Sequence, residues 1–266
     1  MRKVLVAVFC LFLFGACSQK SEMEQTEIPE RGLELAVRSG EGVVPEEGMS
    51  ASVYDLTYLK SDEVCEPVYF AAGEPIAFKD LDAGEHTFFV LGNDREEQSN
   101  YVVLRDKDKK VLFLQSDYYT LPELFGGVAR VDGANASETV VMNRLVGGLV
   151  VNVVNENEFY AMDIFFDRPE LDEIQVNDYT IIPQWDSYNL GRGYECYSFP
   201  TKNVVSGTVI VWDEYKNESY FDFKSEKCIE RNKKLELNIT LVPGSSIARS
   251  GDAGNKAVCE EKVSDL

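Results

Sequence analysis

Few residues of this chain have types and spacing that could do chemistry, and the first of them is Cys17. Gly15 and Ala16 precede it, behind an apolar core from Val4 to Phe14 and a basic start at Arg2-Lys3. An apolar core this short does not span a bilayer, so residues 1–16 are expected to be a removable signal peptide. The small residues before Cys17 look like a lipobox, in which the thiol receives diacylglycerol and the cysteine becomes the first residue of the mature chain. Phe14 stands where Leu is usual, and an ordinary secretory signal with an accidental Cys17 is the alternative. Ser18 follows rather than Asp, which implies sorting to the outer membrane.

Four more cysteines, Cys65, Cys196, Cys228 and Cys259, would travel an oxidising route that permits disulfides. Cys196 and Cys228 fall in one expected domain and are the disulfide candidates. A bridge between them would close a loop worth roughly 3–4 kcal/mol on a chain-entropy argument. The alternative is that all four stay reduced. No Cys-x-x-Cys pair occurs, so no metal site is expected.

The single histidine, His86, sits in an apolar run beside Phe88 and Phe89, with no Gly-x-Ser-x-Gly elbow anywhere in the chain. It reads as structural. Asp106-Lys107-Asp108 resembles the opening of a calcium loop, but Lys109-Lys110 and the missing glycine and distal glutamate make it a solvated turn. No catalytic residue, cofactor or small-molecule substrate is expected. The formal charge of −20 makes nucleic acid and anionic headgroups poor partners.

The elements that would position these residues are strands. Leu33-Glu34-Leu35-Ala36-Val37 and Leu235-Glu236-Leu237-Asn238-Ile239-Thr240-Leu241 alternate apolar and polar residues. Between them lie strand-like runs at 53–59, 67–71, 75–78, 87–91, 101–104, 111–114, 159–166, 174–182, 204–212 and 220–223. One helical turn is expected within 118–125. The Val-rich run 140–154, broken by Gly147-Gly148, reads as a hinge strand that leaves one sheet for another. The alternative is a buried strand inside one larger domain. The expected order is therefore a signal peptide at 1–16, a polar tether at 17–32, an N-terminal β-sandwich at 33–138, a C-terminal one at 139–243 and a mobile tail at 244–266. As a random coil the tether would reach on the order of 20 Å.

Three segments then carry a resemblance: Gly84 to Asn93, Leu121-Pro122-Glu123-Leu124-Phe125-Gly126, and Val141-x-x-Arg144-Leu145-Val146. With the lipobox and the alternating strand at 235–241, the chain resembles the fimbrillin superfamily of type V pili, and within it the FimB-type lipoprotein anchoring subunits. The resemblance implies an all-β protein of two tandem transthyretin-like (Greek-key) β-sandwich domains. It implies other fimbrial subunits as partners and the outer membrane as a second partner through an N-terminal lipid on Cys17. In that family, shaft subunits resemble one another in losing an N-terminal strand to an arginine-specific protease, and a strand from another subunit fills the groove. Arg31 and Arg38 lie where such a cut could fall, and cutting there would sever the body from its lipid. The tail after Pro243 does not alternate well enough to be read as a donor strand. The expected role is to attach a surface fimbrium and limit its length. The alternatives are a shaft or tip subunit, or a surface glycan-binding lipoprotein with an aromatic platform at Trp185, Tyr188, Tyr194 and Tyr197.

Overall fold

The computed structural model describes residues 31–39, 42–45, 48–78, 81–82, 84–94, 100–116, 121–132, 137–185, 195–244 and 255–266. Cys17, the expected signal peptide and all but the end of the tether lie outside them. The described residues form strands almost throughout, so the protein is all-β as expected.

The first half supplies β1 (Arg31–Ser39), β2 (Gly42–Pro45), β3 (Ala51–Asp55), β4 (Glu63–Cys65), β5 (Val68–Phe70) and β6 (Ile76–Phe78). It continues with β7 (Glu85–Gly92), β8 (Asn100–Asp106), β9 (Val111–Ser116), β10 (Phe125–Asp132) and β11 (Ser137–Arg144). The second half supplies β12 (Gly147–Val153), a 3-10 turn at Glu156–Glu158, β13 (Ala161–Phe166), β14 (Ile174–Val176) and β15 (Tyr179–Trp185). β16 (Glu195–Ser198), β17 (Ser206–Trp212), β18 (Glu218–Lys224), β19 (Lys233–Val242) and β20 (Lys256–Asp265) complete it.

An eight-stranded sheet runs β2-β1-β11-β10-β7-β3-β5, with β6 added beside β1, and faces a five-stranded sheet β14-β15-β9-β8-β4. β7 is buried on both sides, which is why Thr87 to Leu91 reads as a continuous apolar run rather than an alternating one. Phe89 and Leu91 enter one core with Leu112, Leu114 and Ile181. Phe88 and Val90 enter another with Ala129, Val140 and Met142. The second half builds a four-stranded sheet β16-β12-β19-β20 over a three-stranded one, β13-β17-β18. Leu149, Val209, Phe221, Leu237 and Ile239 fill the space between them.

The run 140–154 is two strands rather than one. β11 ends at Arg144 in the eight-stranded sheet, and β12 begins at Gly147 in the four-stranded sheet. Gly147 is needed for close approach: a Cβ there would lie 2.2 Å from the Glu230 carbonyl oxygen. The chain therefore passes from one sheet to the other at 145–146, inside the run 140–154.

Strands of the second half also join a sheet of the first. β14 and β15 return to the N-terminal body, β15 pairing in parallel with β9 from Thr180↔Val111 to Trp185↔Ser116. Trp185 is 2% exposed and packs edge-on against Phe199 in that core, so its ring is not available to the aromatic platform weighed as an alternative. Tyr197 is half-buried, and Tyr188 and Tyr194 lie outside the described residues.

The expectation of a mobile tail at 244–266 is corrected over 256–265, while 245–254 lie outside the described residues. Residues 256–265 pair antiparallel with β19 along their full length, from Lys233↔Asp265 to Val242↔Lys256. Backbone pairing needs no particular side chains, so the weak apolar pattern of the tail concealed a strand. β10 was hidden for a related reason. Its Gly126-Gly127 suggests a turn, whereas a Cβ on Gly127 would lie 2.7 Å from Val140 Cγ1, and the two glycines let β10 press against its neighbours.

Candidate subunit interface

The three segments that carry the resemblance are far apart in the chain and meet in space. Arg144, at the end of β11, donates from Nε to Glu123 Oε1 at 2.7 Å, and its Nη2 lies 2.6 Å from the same oxygen. The guanidinium also covers the Phe125 ring, 5.4 Å from its centroid. Asn93, just after β7, donates from Nδ2 to the Glu123 carbonyl oxygen at 2.9 Å. Asn93 takes a left-handed backbone (φ 59°), a conformation Asn tolerates better than most residues.

This junction touches the C-terminal body at two points. Arg144 Nη1 donates to the carbonyl oxygen of Leu266, the residue following β20, at 3.2 Å. Leu121 forms an isolated bridge with Tyr197 of β16. Burial, with the Glu123 carboxylate as a second cause, pushes the Tyr197 hydroxyl above its ordinary pKa. Beside the junction opens a cleft of about 520 Å³, lined by Ser50, Asn93, Pro122, Glu123 and Tyr197 among others. The Glu123 carboxylate in its lining is committed to Arg144.

β20 is the other feature a partner could use. It forms one edge of the four-stranded sheet. Ala257 and Cys259 reach the core but stay partly exposed, whereas Val258 and Val263 are about half exposed. Towards β18, the Glu261 carboxylate accepts from the Glu226 backbone N–H and Asn255 Nδ2 donates to the Tyr220 carbonyl at 3.2 Å. Lys233 and Asp265 form an ion pair at its far end.

Two of the cysteines belong to these elements, Cys259 to β20 and Cys196 to β16. All four described thiols are free, so the Cys196–Cys228 bridge expected as a candidate is not formed in this structure. Cys196 is buried in the C-terminal core, and burial with Glu195 nearby pushes its thiol up to about 12. Cys228 is half-exposed in a cleft of about 310 Å³ beside Thr201, Glu230 and Arg231. Cys259 lies in the same body, so assigning the pair by domain does not single out Cys196 and Cys228. Cys65 belongs to the N-terminal core, where burial and Asp55 push it up to about 11.

His86 is buried in β7 and stacks on Phe88. Its Nε2 lies 3.1 Å from the Asp82 carbonyl oxygen and its Nδ1 3.5 Å from Asp55 Oδ2. No nucleophile adjoins it in these contacts. Among the described residues, no group of three His, Cys, Asp or Glu could hold a metal ion, and no helix is long and apolar enough to cross a membrane. The 106–110 segment is a turn, as expected, with Asp106 Oδ1 accepting from the Lys109 N–H at 3.0 Å.

No protein-family model matches this chain. No curated protein matches it either. Among solved structures, the fimbrial anchor protein Mfa2 from Porphyromonas gingivalis overlays with a TM-score of 0.39 at 14% identity, covering 89% of this chain and 98% of that one. The tip fimbrial protein Mfa3 from the same organism, with a C-terminal truncation, gives 0.36 at 11% identity, over 90% of this chain and 100% of that one. A fimbrial assembly protein from Parabacteroides distasonis gives 0.33 at 10% identity, over 89% and 100%.

Reading the sequence singled out Glu123 and Arg144 within separate segments, without pairing them. Opposite charges beside two apolar runs were the available signal. The strand character of 256–265 had only the weak alternation of Ala257 and Cys259 with Val258 and Glu260 to reveal it.

Proposed function

We propose that this chain is a lipid-anchored structural subunit that attaches a surface fimbrium to the outer membrane and limits its length. It meets the next subunit by strand complementation. The observation that supports this most is β20, a strand held along its whole length by backbone pairing while giving the core little more than Ala257 and Cys259. Main-chain pairing supplies affinity without demanding a sequence, and an edge strand is a template for another chain. Exchanging β20, or adding a strand beside it, costs the C-terminal body little buried area. This revises the reading of the tail as unsuited to such a contact.

The other end of the chain fits an anchor. β1 pairs with β11, β2 and β6 and buries Leu33 and Ala36. A cut at Arg38 would take β1 out of this core, and a cut at Arg31 or Arg38 would part the body from Cys17, whose thiol would carry the lipid, so an anchor keeps both sites intact. Several acyl chains there would hold the body stably at the outer membrane, where a single chain would not. The role is structural, with no reaction assigned to it.

The test is made in cells that build the pilus. Cys17→Ala should release the protein from the membrane fraction or leave an uncleaved precursor, and pili should be shed into the medium. A chain ending at Gly244 should remain lipidated and folded but fail to retain pili. Pili that stay attached and of normal length without this protein would overturn the proposal. So would its recovery along the shaft without its first 38 residues, which favours a shaft subunit.

A further inference from the structure

The outward face of the three-stranded sheet carries a regular arrangement that the anchoring role does not use. Pairing sets its residues in rows across β13, β17 and β18: Ala161–Trp212–Glu218, then Asp163–Ile210–Tyr220, then Phe165–Thr208–Asp222. The residues between them, such as Val209, Val211, Phe221 and Phe223, point into the core. Phe165 is 54% exposed and Tyr220 52%. Every ring on this face therefore has a carboxylate beside it, across the strand pair or two residues along the strand.

Two of the rings are fixed in place. Trp212 Nε1 donates to Glu218 Oε1 at 3.2 Å, and the Tyr220 hydroxyl donates to the other oxygen of the same carboxylate. One carboxylate thus ties the polar edges of both rings. Asp222 Oδ1 accepts from Thr208 Oγ1 at 2.7 Å, so it too is held by a neutral donor. An ionised carboxylate accepts at about four lone-pair sites, so each retains acceptors facing solvent.

We infer that this face binds a chain of neutral pyranose sugars. A pyranose is apolar on its C–H face and ringed by hydroxyl donors, so apolar and polar groups alternate over the width of one ring. The rows alternate on the same scale, with neighbouring strands about 4.8 Å apart and same-face residues roughly 6.8 Å apart along a strand. Sugar C–H faces would rest on Trp212, Tyr220 and Phe165, while hydroxyls donate to Asp163, Glu218 and Asp222.

Area and charge favour this occupant over others. Three strands by three rows cover on the order of 300 Å², well short of the roughly 800 Å² that each partner buries in a stable protein complex. A second copy would bring the same three carboxylates against these, and an anionic polymer or headgroup would be repelled. A basic protein remains as an outcome for the test to separate.

The experiment is a titration of the full chain with a soluble neutral α-mannan, a neutral β-glucan and poly-lysine, followed by tryptophan emission. Of the two tryptophans, Trp185 is buried, so a ligand-induced change reports on Trp212. Binding of at least one neutral glycan, unchanged when salt is raised, is expected. Trp212→Ala, read by calorimetry, should weaken it about tenfold, the upper end of what one aromatic stacking contact supplies. Phe165→Ala should weaken it comparably, and because Phe165 is exposed its loss spares the core. Tyr58→Ala, an exposed aromatic on the N-terminal body, should change nothing. No response to either glycan would overturn the inference, as would binding only to poly-lysine that salt abolishes. The fimbrial role stands or falls separately, since pilus retention does not involve this face.

Discussion

The two bodies of this protein are held together in different ways, and β7 and β20 show the contrast. β7 lies inside the eight-stranded sheet and buries side chains on both faces, Phe88 and Val90 on one and Phe89 and Leu91 on the other. β20 lies at an edge, where its ten backbone pairs carry two partly buried side chains into the core. The N-terminal body also takes in β14 and β15 from the second half. Side-chain burial therefore fixes the N-terminal body, whereas the outer edge of the C-terminal body rests on pairing that another strand could replace.

The largest test of this difference is truncation in the two places. Phe89→Ala should destabilise the protein by about 3–5 kcal/mol in denaturant unfolding, because a fully buried ring leaves a cavity. Val258→Ala, on the outward face of β20, should stay within about 0.5 kcal/mol. Equal effects would mean that β20 is as integral as β7.

At the changeover between the bodies, Gly147→Ala should cost about 1–3 kcal/mol, since the new methyl would meet the Glu230 carbonyl and Ile229 Cγ2. Gly148→Ala should cost less, because the nearest atom is 3.3 Å away on the flexible Leu266 side chain. Thermal unfolding of the two variants distinguishes them, and a reversed order would place the tight contact elsewhere.

A double-mutant cycle on Glu123→Ala and Arg144→Ala should return a coupling of about 1–2 kcal/mol. Arg144→Lys should recover only part of it, as Lys cannot offer both Nε and Nη2 to one oxygen while reaching Leu266. Hydrogen exchange in β20 should rise in Arg144→Ala, whose loss frees the Leu266 carbonyl. Unchanged exchange would separate the junction from the edge strand.

Thiol labelling reads the same contrast without altering the fold. Near pH 8 in the native state, Cys228 should react first, being half-exposed in its cleft. Cys65 and Cys196 should stay unlabelled, since burial holds both as thiols and the thiolate is the nucleophile. Mass mapping of protein from the oxidising envelope would detect a Cys196–Cys228 bridge, which would remove Cys228 from the labelled set.

The smallest effect concerns Asp178, in the turn that returns β14 to β15. Lys110 and Arg130 bond its carboxylate and hold it below the usual range. Its contribution is therefore complete above the unfolded carboxylate pKa and lost as pH falls through the folded value. Asp178→Asn should flatten the acid limb of the stability profile by roughly a few tenths of a kcal/mol, because the pair is largely solvated.

The sequence by itself determined the all-β class, the positions of most strands and the point near Gly147 where the chain leaves one sheet. Alternation in Leu235 to Leu241 and the continuous run at Thr87 to Leu91 are local consequences of how many faces a strand buries, so they can be read without a partner. The acidic surface and the solvated turn at 106–110 were legible in the same way. Partner choice was not. Nothing local to Thr180 to Trp185 says that it joins β9 in the other body, since alternation specifies a face and leaves the neighbour open. β20 escaped notice because backbone hydrogen bonds hold it, and these are nearly blind to side-chain type. The Glu123–Arg144 contact and the ring-and-carboxylate rows of the outer sheet exist only once register brings distant residues level, which only tertiary structure decides.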